Sequence, residues 1–289
     1  MGWLEGNALL ALGAAALWGV GDFSGGMGVK TAGGGLGAAL RVVVLSHLTS
    51  FSVLLAVAWA RGDAFPQGQA LAWGLAAGIA GGLALCAFYM ALSRGAMGAA
   101  SAISGVLAAA VPAVVAIVAD GAPGWRKGVG FVVAGAAIWM IAAGDTAREQ
   151  ASTAWLAIAA GAGFGVYFVA LKYAGAAGIV WPMATARMGS ITTCGVILLG
   201  LRGANSAGTV RISRQVLGWV LATALFDTTG NLTFIAATRA GRLDVAAVLA
   251  SLYPASTILL AALALGEWPS RRQAIGMATA VIAVVLIAM

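Results

Sequence analysis

Residues 16–26 read ALWGVGDFSGG: a glycine-rich apolar run, uncharged from Ala8 onward, that carries one aspartate, Asp22. As a loop it would be a candidate phosphate cradle, but GVGDFS from Gly19 lacks the third glycine of a dinucleotide motif. As a helix it would be a membrane span with a charge inside it. The rest of the chain decides for the helix.

Hydrophobic residues make up 62% of the sequence and charged ones 9%, where a soluble domain averages about half and about a quarter. Stretches 64–93, 95–119, 128–144, 150–171, 245–266 and 273–289 contain no Asp, Glu, Lys or Arg. About 20 apolar residues cross a hydrocarbon core of about 30 Å as a helix, so the pattern predicts an all-α membrane protein. Spans are expected near 6–29, 35–59, 69–93, 96–119, 126–144, 153–173, 178–201, 216–238, 243–264 and 270–288, ten in all. The first is read as a retained helix, since Glu5 stands where a signal peptide would be basic. The net charge of +7 falls mostly in short gaps between spans, which makes it a topology signal and not a nucleic-acid surface. Cys86 and Cys194 lie in apolar runs and read as small buried hydrophobes.

The halves match. LWGV at 17–20 sits over GFGV at 163–166, and AALR at 38–41 over ATAR at 184–187. ALSRGAMGAA at 91–100 resembles AATRAGRLDV at 236–245, and Pro112 and Pro254 then fall in the fourth span of each half. Five spans per half is odd, so the second copy enters the membrane upside down. The expected units are 1–146 and 147–289, two inverted five-helix repeats.

The stretch 230–287, with a small-residue span, an arginine at the turn, a proline in the ninth helix, LGE at 265–267 and a glycine opening the tenth, resembles an EamA-type member of the drug/metabolite transporter superfamily. The first half carries a weaker copy without the GE feature. Among better-known members the chain is most similar to bacterial exporters of aromatic and other neutral amino acids. The resemblance implies peripheral fifth and tenth spans, and a cavity lined by the first, third, fourth, sixth, eighth and ninth. It also implies a bacterial inner-membrane location with both termini cytoplasmic, although lysine and arginine placement leans slightly the other way.

Charges deep in a span cost about 2.5–3.5 kcal/mol on insertion scales and need a partner or a cavity. Asp22, Arg41, His47, Arg187 and Asp227 qualify. Matched depths predict two pairs, Asp22 with Arg41 and Arg187 with Asp227, which either fix helix packing or take part in binding and gating. His47, titrating near neutral pH, is a candidate proton carrier or an interhelical polar contact. Trp18, Tyr89, Tyr167, Asn231 and Tyr253 offer apolar faces with polar tips, suited to a small zwitterion. Trp3, Trp59, Trp73, Trp125, Trp155, Trp219 and Trp268 fall near span ends, as an interfacial belt does. Pro112 and Pro254 are the gating candidates. Gly74, Gly78 and Gly82 form a surface for close helix approach.

No Walker sequence occurs and one histidine cannot build a multi-histidine metal site, so no cofactor, metal or enzymatic activity is expected. The reading is a secondary transporter that exports amino acids by alternating access through the lipid bilayer. The rival cargo is another small metabolite, a nucleotide sugar or a cationic drug, the last favoured by an unpaired cavity carboxylate. A membrane enzyme or assembly subunit would need a polar catalytic cluster, and none is legible. Oligomeric state stays open, a monomer included.

Overall fold

The computed structural model describes residues 6–94, 97–142, 151–203, 212–266 and 268–288. Trp3, Glu5, Arg148, Arg211, Glu267 and the expected boundary between the repeats lie outside the described residues.

The described residues are almost all helical. In chain order they form α1 (Gly6–Thr31), α2 (Gly35–Arg61), α3 (Gly68–Arg94), α4 (Met97–Asp120), α5 (Trp125–Ala142), α6 (Ala151–Ala174), a 3-10 turn (Gly175–Ala177), α7 (Val180–Gly203), α8 (Arg214–Ala240), α9 (Leu243–Ala250), α10 (Tyr253–Leu265) and α11 (Arg271–Ala288). Eight stretches are long and apolar enough to cross a membrane: α1, α2, α3, α4, α6, α7, α8 and the run Leu243–Leu265 that α9 and α10 share. Their outward faces carry Val53, Leu199, Leu225 and Leu263, all exposed, as a lipid-facing surface requires. Trp59, Trp73, Trp125, Trp155 and Trp268 are exposed as expected of interfacial residues, whereas Trp219 turns inward and meets Phe23 edge-on at 6.1 Å.

The ninth expected span is broken. α9 ends at Ala250, Ser251 and Leu252 leave the helix, and α10 restarts at Tyr253. Pro254 therefore sits in the first turn of α10, where its missing N–H costs nothing. Pro112, by contrast, lies within a continuous α4. Short turns hold the rest. α2 closes on Gly62 at φ 67°, whose N–H donates to the Trp59 carbonyl at 3.1 Å while that of Asp63 donates to Ala58 at 3.0 Å.

Missing side chains bring the helices together. α1 runs antiparallel along α8, with Asn7 beside Gly241, Gly21 against Asp227 and Gly28 against Trp219. A Cβ on Gly21 would lie 3.0 Å from the Asp227 nitrogen, so only glycine permits this approach. The glycine stripe of α3 seats α7, with Gly74 under Thr185, Gly78 under Ala186 and Gly82 under Ser190. Gly189 answers it from α7, facing Leu75 and Gly78. α3 also runs antiparallel to α6, and α4 lies behind α6. α5 and α11 pair with each other, Gly130 beside Ile287 and the Arg272 guanidinium 4.4 Å from the Trp139 ring centre.

Arg242 fastens the turn before α9. It donates to the Gly121 carbonyl at 2.9 Å and to the fully buried Asp244 carboxylate at 2.8 Å, tying the α4–α5 connection to α9.

Candidate functional site

A cavity lies where α1, α2, α3, α6, α7, α8 and α10 converge. Its walls are mostly apolar. Trp18, Phe164, Phe168 and Leu85 form them, with Tyr167 and Tyr253 adding hydroxyls. Trp18 lies flat on Phe168, ring centres 5.1 Å apart and planes 4° from parallel. Gly230 makes room for the Trp18 indole, since a Cβ there would lie 2.7 Å from its Cδ1.

A single hydrogen-bonded chain crosses one wall. His47 Nδ1 and Ser190 Oγ lie 2.7 Å apart, and Arg187 Nη1 lies 2.6 Å from His47 Nε2. A guanidinium offers only donors, so Nε2 must accept and Nδ1 must carry the hydrogen donated to Ser190. His47 is thereby held as a neutral imidazole. Arg187 Nη2 binds the Asp227 carboxylate and donates to Thr228 Oγ1 at 3.0 Å. Asn231 Nδ2 donates to Asp227 Oδ1 at 3.0 Å, and the Tyr167 hydroxyl donates to Asn231 Oδ1 at 2.7 Å. Helices α2, α6, α7 and α8 are thus joined through buried polar groups, which are strong only when every member is satisfied.

Two groups in this cavity are not. Arg187 Nε is buried and has no hydrogen-bond partner among the described residues. Asp22, 7% exposed, lines the cavity with no hydrogen-bond or ion-pair partner among the described residues. The charge that acts on it is the Asp227 carboxylate. Buried polar atoms are usually bonded, so these two groups are exceptions beside the cavity.

The expected pairs divide. Arg187 and Asp227 do form an ion pair. The Asp22–Arg41 pair is not among the ion pairs of the described residues, because α1 packs along α8 and directs Asp22 to the cavity. Arg41 is buried on α2 outside the cavity lining. Tyr89 is also outside it, fully buried, its ring filling the space left by Gly25. Trp18, Asp22, His47, Tyr167, Asp227, Asn231 and Tyr253 all line the cavity, whereas Pro112 and Pro254 do not. α2 and α7 contribute to the lining and α4 supplies no lining residue among those described, contrary to the expected helix set. The α3 glycine stripe explains this, since it draws α7 inward and leaves α4 behind α6. Phe164, Phe168 and Ser190 were not anticipated, for they lack the polar-tipped aromatic signature.

Residues 151–289 match the EamA-like transporter family. Members of that family are membrane transporters and not enzymes, and the eight long apolar helical stretches make this chain a multi-pass membrane protein. The fold of the chain is similar to that of a solved crystal structure of a protein, with a TM-score of 0.72 and 17% identity, covering 97% of this chain and 95% of that one. The comparison with curated proteins finds no match.

Proposed function

We propose that this transporter exports amino acids, aromatic or other neutral ones, from the bacterial cytoplasm across the inner membrane, with both termini cytoplasmic. The observation that carries the reading is a carboxylate, Asp22, and a guanidinium, Arg187, lining one aromatic-walled cavity. A zwitterion supplies the complement to both, an ammonium for the carboxylate and a carboxylate for the guanidinium.

The proposed frame is ten spans in two inverted repeats, 1–146 and 147–289, with α9 and α10 as one span and α5 and α11 as the fifth and tenth. The packing supports it. Exchanging the halves turns the α1–α8 contact into α6–α3, α4–α6 into the contact of α9 and α10 with α1, and α3–α7 into α8–α2, and each of these exists. Alternating access then follows as rocking of one repeat against the other around the cavity. The gating elements are α4 at Pro112 and the α9–α10 break before Pro254.

The unpartnered Asp22 also favours a second reading, efflux of a cationic drug. Proteoliposomes offered a panel of radiolabelled amino acids, with tetraphenylphosphonium as the cationic rival, separate the two. Uptake of aromatic amino acids above protein-free vesicles is expected; flux of tetraphenylphosphonium alone would replace the reading with the second one.

A further inference from the structure

We propose that Cys86 and Cys194 form a dithiol site for one divalent, sulfur-seeking metal ion of the Zn2+ and Cd2+ class, and that the bound ion pins α3 to α7. The two thiols are buried and free, and their sulfurs stand 3.8 Å apart. In sequence each reads as a small hydrophobe; the seating of α7 on the α3 glycines makes them a pair.

The spacing matches a chelated ion. Tetrahedral coordination with metal–sulfur bonds of about 2.3 Å sets neighbouring sulfurs about 3.8 Å apart. That separation is already present, so an ion seats against both sulfurs without moving either helix. No third His, Cys, Asp or Glu joins the pair among the described residues, which leaves the other positions to oxygen. Ser190, one turn before Cys194 on α7, offers one: its oxygen accepts from His47 and keeps a second lone pair. Ser190 and Cys194 both face the space over Gly82, where a Cβ would lie 3.1 Å from the Cys194 sulfur. Gly82 and Ser190 line the cavity, so its water supplies the last ligand and its opening is the route in.

Charge selects the ion. Each thiol gives its proton to cavity water as its metal–sulfur bond forms, so a divalent ion and two thiolates make a neutral centre. Such a centre avoids the burial cost of a lone charge. A monovalent ion would leave one negative charge, and the guanidinium of Arg187 is already bonded to Asp227. Mg2+ and Ca2+ take oxygen ligands and pass the site by.

The consequence for transport rests on the alternating-access reading above, in which α3 and α7 belong to opposite repeats. Rocking moves one against the other, and two metal–sulfur bonds oppose that movement.

The test titrates the full chain, reduced and in detergent, with cadmium chloride. An ultraviolet thiolate-to-cadmium charge-transfer band should rise and saturate at one ion per chain, with two protons released and reversal by EDTA. Magnesium chloride should produce no band. Cys86→Ser and Cys194→Ser should each abolish it, and cadmium should raise the Tm of the wild-type protein and of neither variant. Absence of the band from the wild-type protein, or its survival in either variant, overturns the site. In proteoliposomes, cadmium should stop L-phenylalanine counterflow by the wild-type protein and spare both variants. Counterflow that continues with cadmium bound overturns the pinning. Absence of counterflow before cadmium is added removes the amino-acid reading, and the band still decides the site.

Discussion

Asp22 and Asp227 enter one cavity from antiparallel helices, and only Asp227 is bonded to a guanidinium, that of Arg187. Their helices touch there through Gly21, so the two carboxylates belong to one electrostatic unit with unequal roles. Asp227 anchors the polar chain across α2, α6, α7 and α8. Asp22 lines the cavity beside it.

Breaking the anchored pair should be costly. Arg187→Gln leaves Asp227 buried without its guanidinium, a loss of about 3–5 kcal/mol for pairs of this kind. Thermal unfolding in detergent should show a large drop for Arg187→Gln and for Asp227→Asn, and a smaller one for the double variant. Equal, additive losses would mean the two side chains do not act as a pair.

His47 is a link in the polar chain, bonded at both ring nitrogens. Its Nε2 lone pair is already occupied by Arg187 and its Nδ1 hydrogen by Ser190. His47→Asn should lower transport through lost positioning and keep the pH profile. A flattened profile in His47→Asn would move proton handling to the imidazole.

The contact of α3 with α7 can be trapped. Cys86 and Cys194 are free, and their sulfurs lie 3.8 Å apart across it. Mild oxidation with iodine should consume both thiols and form one intramolecular disulfide, read by maleimide labelling and mass spectrometry, with loss in Cys194→Ser. Two reactive thiols after oxidation would contradict the packing.

Close approach makes a graded prediction. A Cβ at Gly78 would run into the Ala186 carbonyl, backbone that cannot yield cheaply, whereas Gly195 and Gly218 face open space. Gly78→Ala should destabilise by about 1–3 kcal/mol, as overpacking does, with Gly195→Ala and Gly218→Ala near neutral. Thermal stability of the three variants checks it.

Much of this architecture was legible in the sequence because charge is so costly in lipid that uncharged runs outline the helices. Mid-span placement likewise singled out Trp18, Asp22, His47, Tyr167, Asp227, Asn231 and Tyr253, all of which line the cavity. Depth fixes height in the membrane, however, and says nothing of which helices are neighbours. Arg41 matched Asp22 in depth, but α1 lies along α8, so the match did not make a pair. The Gly74, Gly78 and Gly82 stripe did hold this neighbour information, since it marks the seat of α7. Pro254 suggested a kink and instead opens a new helix after a two-residue break. Phe164 and Phe168 were indistinguishable from packing aromatics until both were found at the cavity wall, Phe168 stacked on Trp18.

The central claim is that cargo passes through the cavity between Asp22 and Arg187, and filling that cavity without altering a charge tests it most directly. Leu85 lines it and touches none of the polar chain's hydrogen bonds. Counterflow of radiolabelled L-phenylalanine in proteoliposomes should proceed with the wild-type protein. It should fall to the level of protein-free vesicles with a folded Leu85→Trp variant. Undiminished counterflow in that variant would contradict the account.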